Sequence, residues 1–277
     1  MRKILIFLAA VAVWGGCSSY HKLLRTGTPE QKLEAAKQYY EKAEYHRALT
    51  LLEDVLVEYR TGQRADEVIY YLGATHFQLG NYLSAAYHFK QVYEHFPGSP
   101  HAEEALFYYG YALYLASPPI ELDQTNTEQA IEVLELFESQ YPESRYVRPI
   151  DSFLVALHRK LEMKDIRQAY VYHKIEDYKA VVWLVNYLLT VYPATPEKER
   201  LMYIRVVDAY HYAAGSVPNK QPERFRQVVR YGRAFLSSFP NSKFAAEVNG
   251  LVEKAQRQIE KSTSDENSTA AEVSEGN

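Results

Sequence analysis

Residues 67–97 read EVIYYLGATHFQLGNYLSAAYHFKQVYEHFP, and the fold is decided by how this stretch is divided. From Glu67 to Gly80, the residues Ile69, Leu72, Gly73, His76 and Leu79 recur at the three-and-four spacing of one helix face. Gly80-Asn81 interrupts the pattern, and Tyr82 to Phe96 resumes it with Tyr82, Ala85, Phe89 and Val92 turned inward. Gly73 and Ala85 are small where two antiparallel helices must approach, and larger side chains fill the space between. Pro97 closes the stretch, because proline is accepted at a helix end or first turn but not in its middle. The stretch is predicted to be a helical hairpin.

The closing signal recurs. Phe96-Pro97, Tyr141-Pro142, Tyr192-Pro193 and Phe239-Pro240 are spaced by 45, 51 and 47 residues, and a small or polar pair follows each proline: Gly98-Ser99, Glu143-Ser144, Ala194-Thr195, Asn241-Ser242. A regular period of this length marks a repeat architecture. Gly73, His76, Gly80, Tyr82, Ala85, Phe89, Val92 and Pro97 stand at the signature spacings of the tetratricopeptide repeat, and the hairpin resembles that family, with His76 where the family usually has Tyr or Leu. The resemblance implies an all-α, right-handed superhelical array of about five helix pairs with a C-terminal capping helix. Repeat one carries Ala36, Tyr39, Ala43, Tyr45, Ala48, Leu52 and Val55, with Arg60 in place of the closing proline. Repeat three is split by an insertion, Ser117 to Gln124. The first helix of repeat four is expected to begin near Pro149-Ile150 and to be long, and repeat five is expected to span Tyr203 to Ala213, a polar loop from Gly215 to Pro222, and Phe225 to Phe239. Helices over 29–143 form repeats one to three, those over 144–261 form repeats four and five with the cap Lys243 to Lys261, and 262–277 reads as a disordered acidic tail.

The N-terminus carries a separate message. Met1-Arg2-Lys3 precedes the apolar run Ile4 to Trp14, then Gly15-Gly16-Cys17-Ser18-Ser19. A cationic start, a short apolar run and small residues make a secretory leader, here 1–16. Eleven apolar residues are too few for a spanning helix, which needs about 20. Cys17, the only cysteine, sits at the cut site as in bacterial lipoprotein signals, so acylation of Cys17 and anchoring by lipid chains is the expectation, with 17–28 as linker. A leader with a chance cysteine is the alternative, and Trp14 is an unusual residue three places before the cut. Ser18 in place of Asp favours the outer membrane.

Composition narrows the function classes. The net charge is −4 from 31 basic and 35 acidic residues, and loss of Arg2 and Lys3 with the leader makes the remainder more acidic, which excludes an electrostatic nucleic-acid binder. The 25 tyrosines against 11 phenylalanines suit a thin two-layer stack in which most rings reach a surface. No phosphate-binding glycine loop, metal-ligand spacing or nucleophile constellation is present in the sequence, so no cofactor, no metal and no catalysis are expected. What remains is a binding surface. Stacked helical pairs leave a concave face, and the resemblance to the tetratricopeptide family implies that the first helices of the pairs line it. Tyr40, Tyr70, Phe77, Phe107, Tyr111 and Tyr114 fall there, either as an aromatic peptide groove or as rings joining neighbouring repeats. Arg224, Arg226, Arg230 and Arg233 surround one helix, with Arg226, Arg230 and Arg233 on a single face, either a partner interface or a solvated surface.

Several stretches narrow the family further. Lys22-Leu23-Leu24 follows Cys17, residues 32–40 read KLEAAKQYY, residues 122–131 read LDQTNTEQAI, and residues 220–225 read KQPERF ahead of Phe239-Pro240-Asn241-Ser242. With the leader and five repeats, residues 17–255 resemble the BamD family, the tetratricopeptide-repeat lipoproteins of the outer-membrane β-barrel assembly machinery. Trp14 and Arg60 depart from the family pattern. The resemblance implies a non-enzymatic, lipid-anchored scaffold on the periplasmic side of the outer membrane. It implies that the scaffold binds the POTRA domains of the barrel-forming subunit through its last repeats. It also implies binding of unfolded outer-membrane proteins, by a signal ending in an aromatic residue, in the groove of repeats one to three. Another repeat lipoprotein of the envelope, serving glycan uptake, pilus assembly or cell-wall synthesis, is the alternative.

Overall fold

The computed structural model describes residues 19–59 and 62–275. The leader, Cys17, Ser18 and Arg60 lie outside the described residues. A short helix α1 covers 19–26. Hairpins follow: α2 (Pro29–Glu41) with α3 (Tyr45–Tyr59), α4 (Ala65–Gln78) with α5 (Tyr82–His95), α6 (Ala102–Ala116) with α7 (Thr125–Gln140), α8 (Ile150–Lys174) with α9 (Tyr178–Val191), and α10 (Lys198–Ala214) with α11 (Gln221–Ser238), before a final α12 (Ala245–Glu275). The described residues contain no strand. The fold is the expected all-α array of five tetratricopeptide-like pairs with a terminal helix.

The four aromatic-proline corners share one geometry. Phe96, Tyr141, Tyr192 and Phe239 each sit at φ between −118° and −135° and ψ between 57° and 65°. The following proline forbids the helical conformation at these positions, so the helix stops there. Each of the four still donates its N–H to the carbonyl four residues back, at 3.0, 2.9, 2.7 and 2.8 Å respectively. Two residues past each proline, the hydroxyl of Ser99, Ser144, Thr195 or Ser242 accepts the N–H two positions further on. Two of these hydroxyls also tie the corner back to the pair it closes: Ser99 donates to Asp66 on α4 at 2.5 Å, and Ser144 to Glu103 on α6 at 2.6 Å.

The turns inside the hairpins are less visible in sequence. Gly80 has φ 76°, but the equivalent positions in repeats one and four are Ala43 (φ 58°) and Glu176 (φ 63°). All three make the same paired bonds, for example Gly80 N–H to Phe77 O at 3.0 Å and Asn81 N–H to His76 O at 2.9 Å. Repeat three replaces this turn with the insertion Ser117–Gln124. There the buried Gln124 amide donates to the carbonyls of Pro119 (2.8 Å) and Leu122 (3.1 Å), and Lys160 Nζ on α8 reaches Ser117 and Pro118.

The described chain divides between Leu161 and Glu162, inside α8, into two compact bodies. The division falls later than the 143/144 boundary between repeats three and four, because Ile150 and Leu157 on the first half of α8 are buried in the core of repeat three. In the first body, Leu33, Leu51, Leu52, Val55, Val68 and Leu72 pack repeat one on repeat two. A larger core around Phe89, Leu106, Leu134 and Phe137 continues through repeat three. Gly73 is buried, and a Cβ there would lie 3.0 Å from the Phe89 ring, so a larger residue would require that ring to shift by a few tenths of an ångström. In the second body, one core centres on Ile166, Val181, Val185, Leu188 and Ile204, and another on Val206, Val228, Phe235 and Val248. α10 starts five residues before the expected Tyr203, and α11 starts at Gln221 with Pro222 in its first turn. α12 continues to Glu275, past the expected end at Lys261: residues 262–275 hold no proline or glycine to stop it, and Ser262 and Ser264 bond back to carbonyls four residues earlier.

His76 occupies the inner face of α4, stacked on His88 of α5 with ring centroids 5.5 Å apart and planes 6° from parallel. His88 Nδ1 is buried without a hydrogen-bond partner. Burial, and then the neighbouring His76, push the His88 pKa down to about 4, and burial also lowers His76, against the pull of Glu53 on α3.

Two outcomes follow from this architecture. Ala43→Gly should raise stability by about 0.5–1 kcal/mol by relieving a left-handed backbone, while Gly80→Ala should cost about 1 kcal/mol; urea unfolding midpoints check both. The unfolded chain titrates its histidines near the ordinary value of about 6.5. It therefore takes up protons before the folded state does as the pH falls. The stability tied to the neutral pair is complete above about pH 6.5 and is lost progressively toward pH 4. His88→Gln should flatten this dependence, and a slope unchanged by the substitution counts against it.

Candidate functional site

The six aromatic positions of repeats one to three come from the first helices. Tyr40 lies on α2, Tyr70 and Phe77 two turns apart on α4, and Phe107, Tyr111 and Tyr114 at i, i+4 and i+7 on α6. The structure links them ring to ring. Tyr40 meets Tyr71 edge-on at 5.6 Å, Phe77 meets Tyr111 at 5.5 Å, and Tyr111 meets Tyr114 at 6.1 Å. Tyr111 and Tyr114 also stack on Phe153 of α8 at 5.1 and 4.6 Å. Tyr70 stacks on His101 at 4.2 Å.

Burial separates the set. Phe107 is only 6 % exposed, stacked on Tyr146 at 4.5 Å and packed edge-on against Phe137, so it belongs to the core and offers a partner almost no area. The azimuth of an aromatic on a helix packed on two sides is ambiguous in sequence, which is why Phe107 reads as either. Tyr40, Tyr70, Phe77, Tyr111 and Tyr114 are half-buried. Tyr40, Tyr70 and Phe77 line one small cavity together with Gln78, Glu104 and Tyr108. Burial, with the nearby Glu104 carboxylate, pushes the Tyr70 hydroxyl well above the ordinary tyrosine range. The rings thus weld neighbouring repeats and wall a cavity at once.

Glu104 was not legible as a site residue. The pair Glu103-Glu104 reads as first-turn charge favouring the helix dipole. In the fold, Glu104 accepts the Tyr146 hydroxyl at 2.7 Å and lines the aromatic cavity, and both carboxylates border a polar cleft with Pro100, Tyr141, Arg145 and Tyr146.

In the second body, Arg226, Arg230 and Arg233 are exposed on α11, and none forms an ion pair among the described residues. Arg224 differs: its guanidinium lies 4.1 Å from the centre of the Tyr212 ring and bonds to Ser216, so it holds α10 and the loop after it to α11. Two features escape sequence reading. Trp183 and Tyr187 on α9 are exposed, whereas Arg205 and Asp208 on α10 are buried. Asp208 Oδ2 lies 2.7 Å from His173 Nδ1 on α8, and burial raises the Asp208 pKa against the pull of that histidine. The signal was present: Leu201, Arg205 and Asp208 share a helix face.

Among the described residues, no helix is long and apolar enough to cross a membrane. A family model described as outer membrane lipoprotein, YfiO, matches residues 25–201 and 162–262. The chain is 21 % identical over 142 residues to the outer membrane protein assembly factor BamD of Neisseria gonorrhoeae, and equally to that of Neisseria meningitidis serogroup A, covering 48 % of this chain and 48 % of each relative. The matched stretch therefore spans about half the length of these curated relatives. Among solved structures, a thermophilic tetratricopeptide-repeat protein of Thermus thermophilus aligns over 83 % of this chain and 99 % of its own at 18 % identity and a TM-score of 0.35. The assembly chaperone of RpL4, Acl4, aligns over 87 % and 99 % at 13 % identity and a TM-score of 0.28.

Proposed function

The chain belongs to the YfiO family of outer membrane lipoproteins, and from that membership we propose that it is a non-enzymatic scaffold of a β-barrel assembly complex, anchored in the outer membrane by acyl chains on Cys17 and facing the periplasm. The observation that carries the reading is the reach of the family match, which takes in all five helix pairs. The matched relatives are named as outer membrane protein assembly factors. In this reading, the second body holds the POTRA-bearing barrel subunit, with the exposed row Arg226, Arg230 and Arg233 on its surface, because guanidinium forks suit carboxylates at interfaces. The first body receives extended segments of unfolded outer-membrane proteins along the half-buried rings Tyr40, Tyr70, Phe77, Tyr111 and Tyr114. A cavity walled by tyrosine and phenylalanine gains most from enclosing another ring.

The anchor is tested by mass spectrometry of the mature protein: a diacylated or triacylated Cys17 is expected, and an unmodified thiol or a different N-terminus rules the anchor out. Copurification from detergent-solubilised membranes tests the complex, with a POTRA-bearing barrel protein as the main partner expected and a glycan porin or a cell-wall enzyme in its place contradicting the reading. For the groove, Tyr40→Ser with Phe77→Ser should abolish cross-linking to a peptide ending in an aromatic residue and lower the melting temperature only slightly. A sharp fall in melting temperature with peptide binding retained in the folded fraction would mean that the rings are seam alone.

A further inference from the structure

Arg205 is 9 % exposed, and its Nε has no hydrogen-bond partner among the described residues. Its Nη1 donates to Asn186 Oδ1 on α9 at 2.8 Å, and its guanidinium lies 4.3 Å from the centre of the Tyr231 ring on α11. Asn186 Nδ2 donates in turn to the Tyr231 hydroxyl at 3.1 Å. α9, α10 and α11 thus meet on one buried cation. The charged group felt there is another cation, Arg230, whose guanidinium sits 5.5 Å from the same Tyr231 ring. Among the described residues, neither arginine has a carboxylate in ion-pair range. Withdrawing a guanidinium from water without a counter-ion is costly, and a second guanidinium beside it adds to the cost.

An apolar ridge borders this cluster. Trp183, Tyr187 and Val191 follow at i, i+4 and i+8 on α9 and are all exposed, Trp183 by 70 % and Tyr187 by 51 %. The two aromatic rings lie 6.0 Å apart and 3° from parallel. Asn186 falls between them in sequence and is turned toward α11, so the ridge lies alongside the arginines. α9 carries a single charged residue, Lys179.

We propose that the seam of α9 and α11 is a docking surface for an acidic protein segment, which brings a carboxylate to the exposed Arg230, next to the buried Arg205, and sets an apolar side chain on the Trp183–Tyr187 ridge. Trp, Tyr and Arg side by side are the residue types that dominate protein interfaces. The ridge extends about 12 Å along the helix, the length of a short helical or extended segment. An anionic bilayer fits less well, since Glu176 and Asp177 are exposed at the base of α9 and would face its headgroups. The proposal rests on the reading of the second body as the partner-binding half, and gives that interface an apolar anchor.

The test places a photoreactive residue at position 183 of the full chain in its own membranes. The expected result is an adduct with one protein, whose cross-linked peptide carries Asp or Glu within about a turn of the attachment point. Arg230→Glu and Tyr187→Ser should each reduce its yield by roughly tenfold with the melting temperature unchanged. Reversing the partner's acidic residue to Arg should restore the yield with Arg230→Glu. Adducts confined to lipid, adducts with no protein, a peptide without an acidic residue, or a yield indifferent to Arg230→Glu would each overturn the proposal. A partner lacking POTRA domains leaves this surface standing and removes the assembly-complex reading. Full copurification of a POTRA-bearing subunit with a chain carrying Trp183→Ser and Arg230→Glu removes this surface and leaves that reading intact.

Discussion

The steric conflict between a proline ring and the residue before it organises this chain. Phe96, Tyr141, Tyr192 and Phe239 are all excluded from helical geometry by the next residue, and all four fall into nearly one backbone conformation. The corner geometry is common to the four sites, so the four helices before them end in one way. The aromatic side chain at the corner is used as well: Phe239 packs on Phe235 and Tyr141 on Phe137, one helical turn inside the preceding helix. Repetition of form within each body is therefore a consequence of a local restriction, and the cores of Leu, Val and Phe fill what that restriction leaves between helices.

Sequence legibility follows the same division between local and distant causes. The corners, the small residues under them and the eight-residue insertion were legible because each is a backbone statement made by proline, glycine or their neighbours. The hairpin turns at Ala43 and Glu176 were not, since neither residue prefers the left-handed region; the paired hydrogen bonds at the helix end hold them there. Phe107 was ambiguous because periodicity gives a face but not what lies opposite, and what lies opposite is Tyr146, about forty residues away. Arg205 and Asp208 were invisible for the opposite reason: charged residues in a helix are read as surface, and only the positions of Leu201 and Ile204 beside them indicated otherwise.

The two bodies put their polar chemistry in different places. In the first, the charges pair off at the surface: Arg64 binds Glu30, Glu34 and Glu67, and Lys37 binds Glu67 at 2.6 Å. Although burial works against it, those hydrogen bonds keep Glu67 below the usual carboxylate range. The inner surface of this body is aromatic, with the Glu104 carboxylate set among the rings. In the second body, the buried polar groups Arg205 and Asp208 each keep an atom without a partner among the described residues, as His88 does in the first.

The corners carry one more property. Tyr59 reaches back to Glu30 at 3.0 Å, Tyr146 to Glu104 at 2.7 Å and Tyr192 to Asp165 at 2.8 Å, alongside the serine bonds of Ser99 and Ser144. In every case the donor is a neutral hydroxyl, so the bond is not an attraction between two opposite charges. Dissolved ions weaken contacts between full charges at a surface and act much less on a hydroxyl bound to a carboxylate. Helix spacing at the corners latched in this way depends less on ionic strength than it does between repeats one and two, where Lys37–Glu67 and Arg64–Glu34 are pairs of full charges.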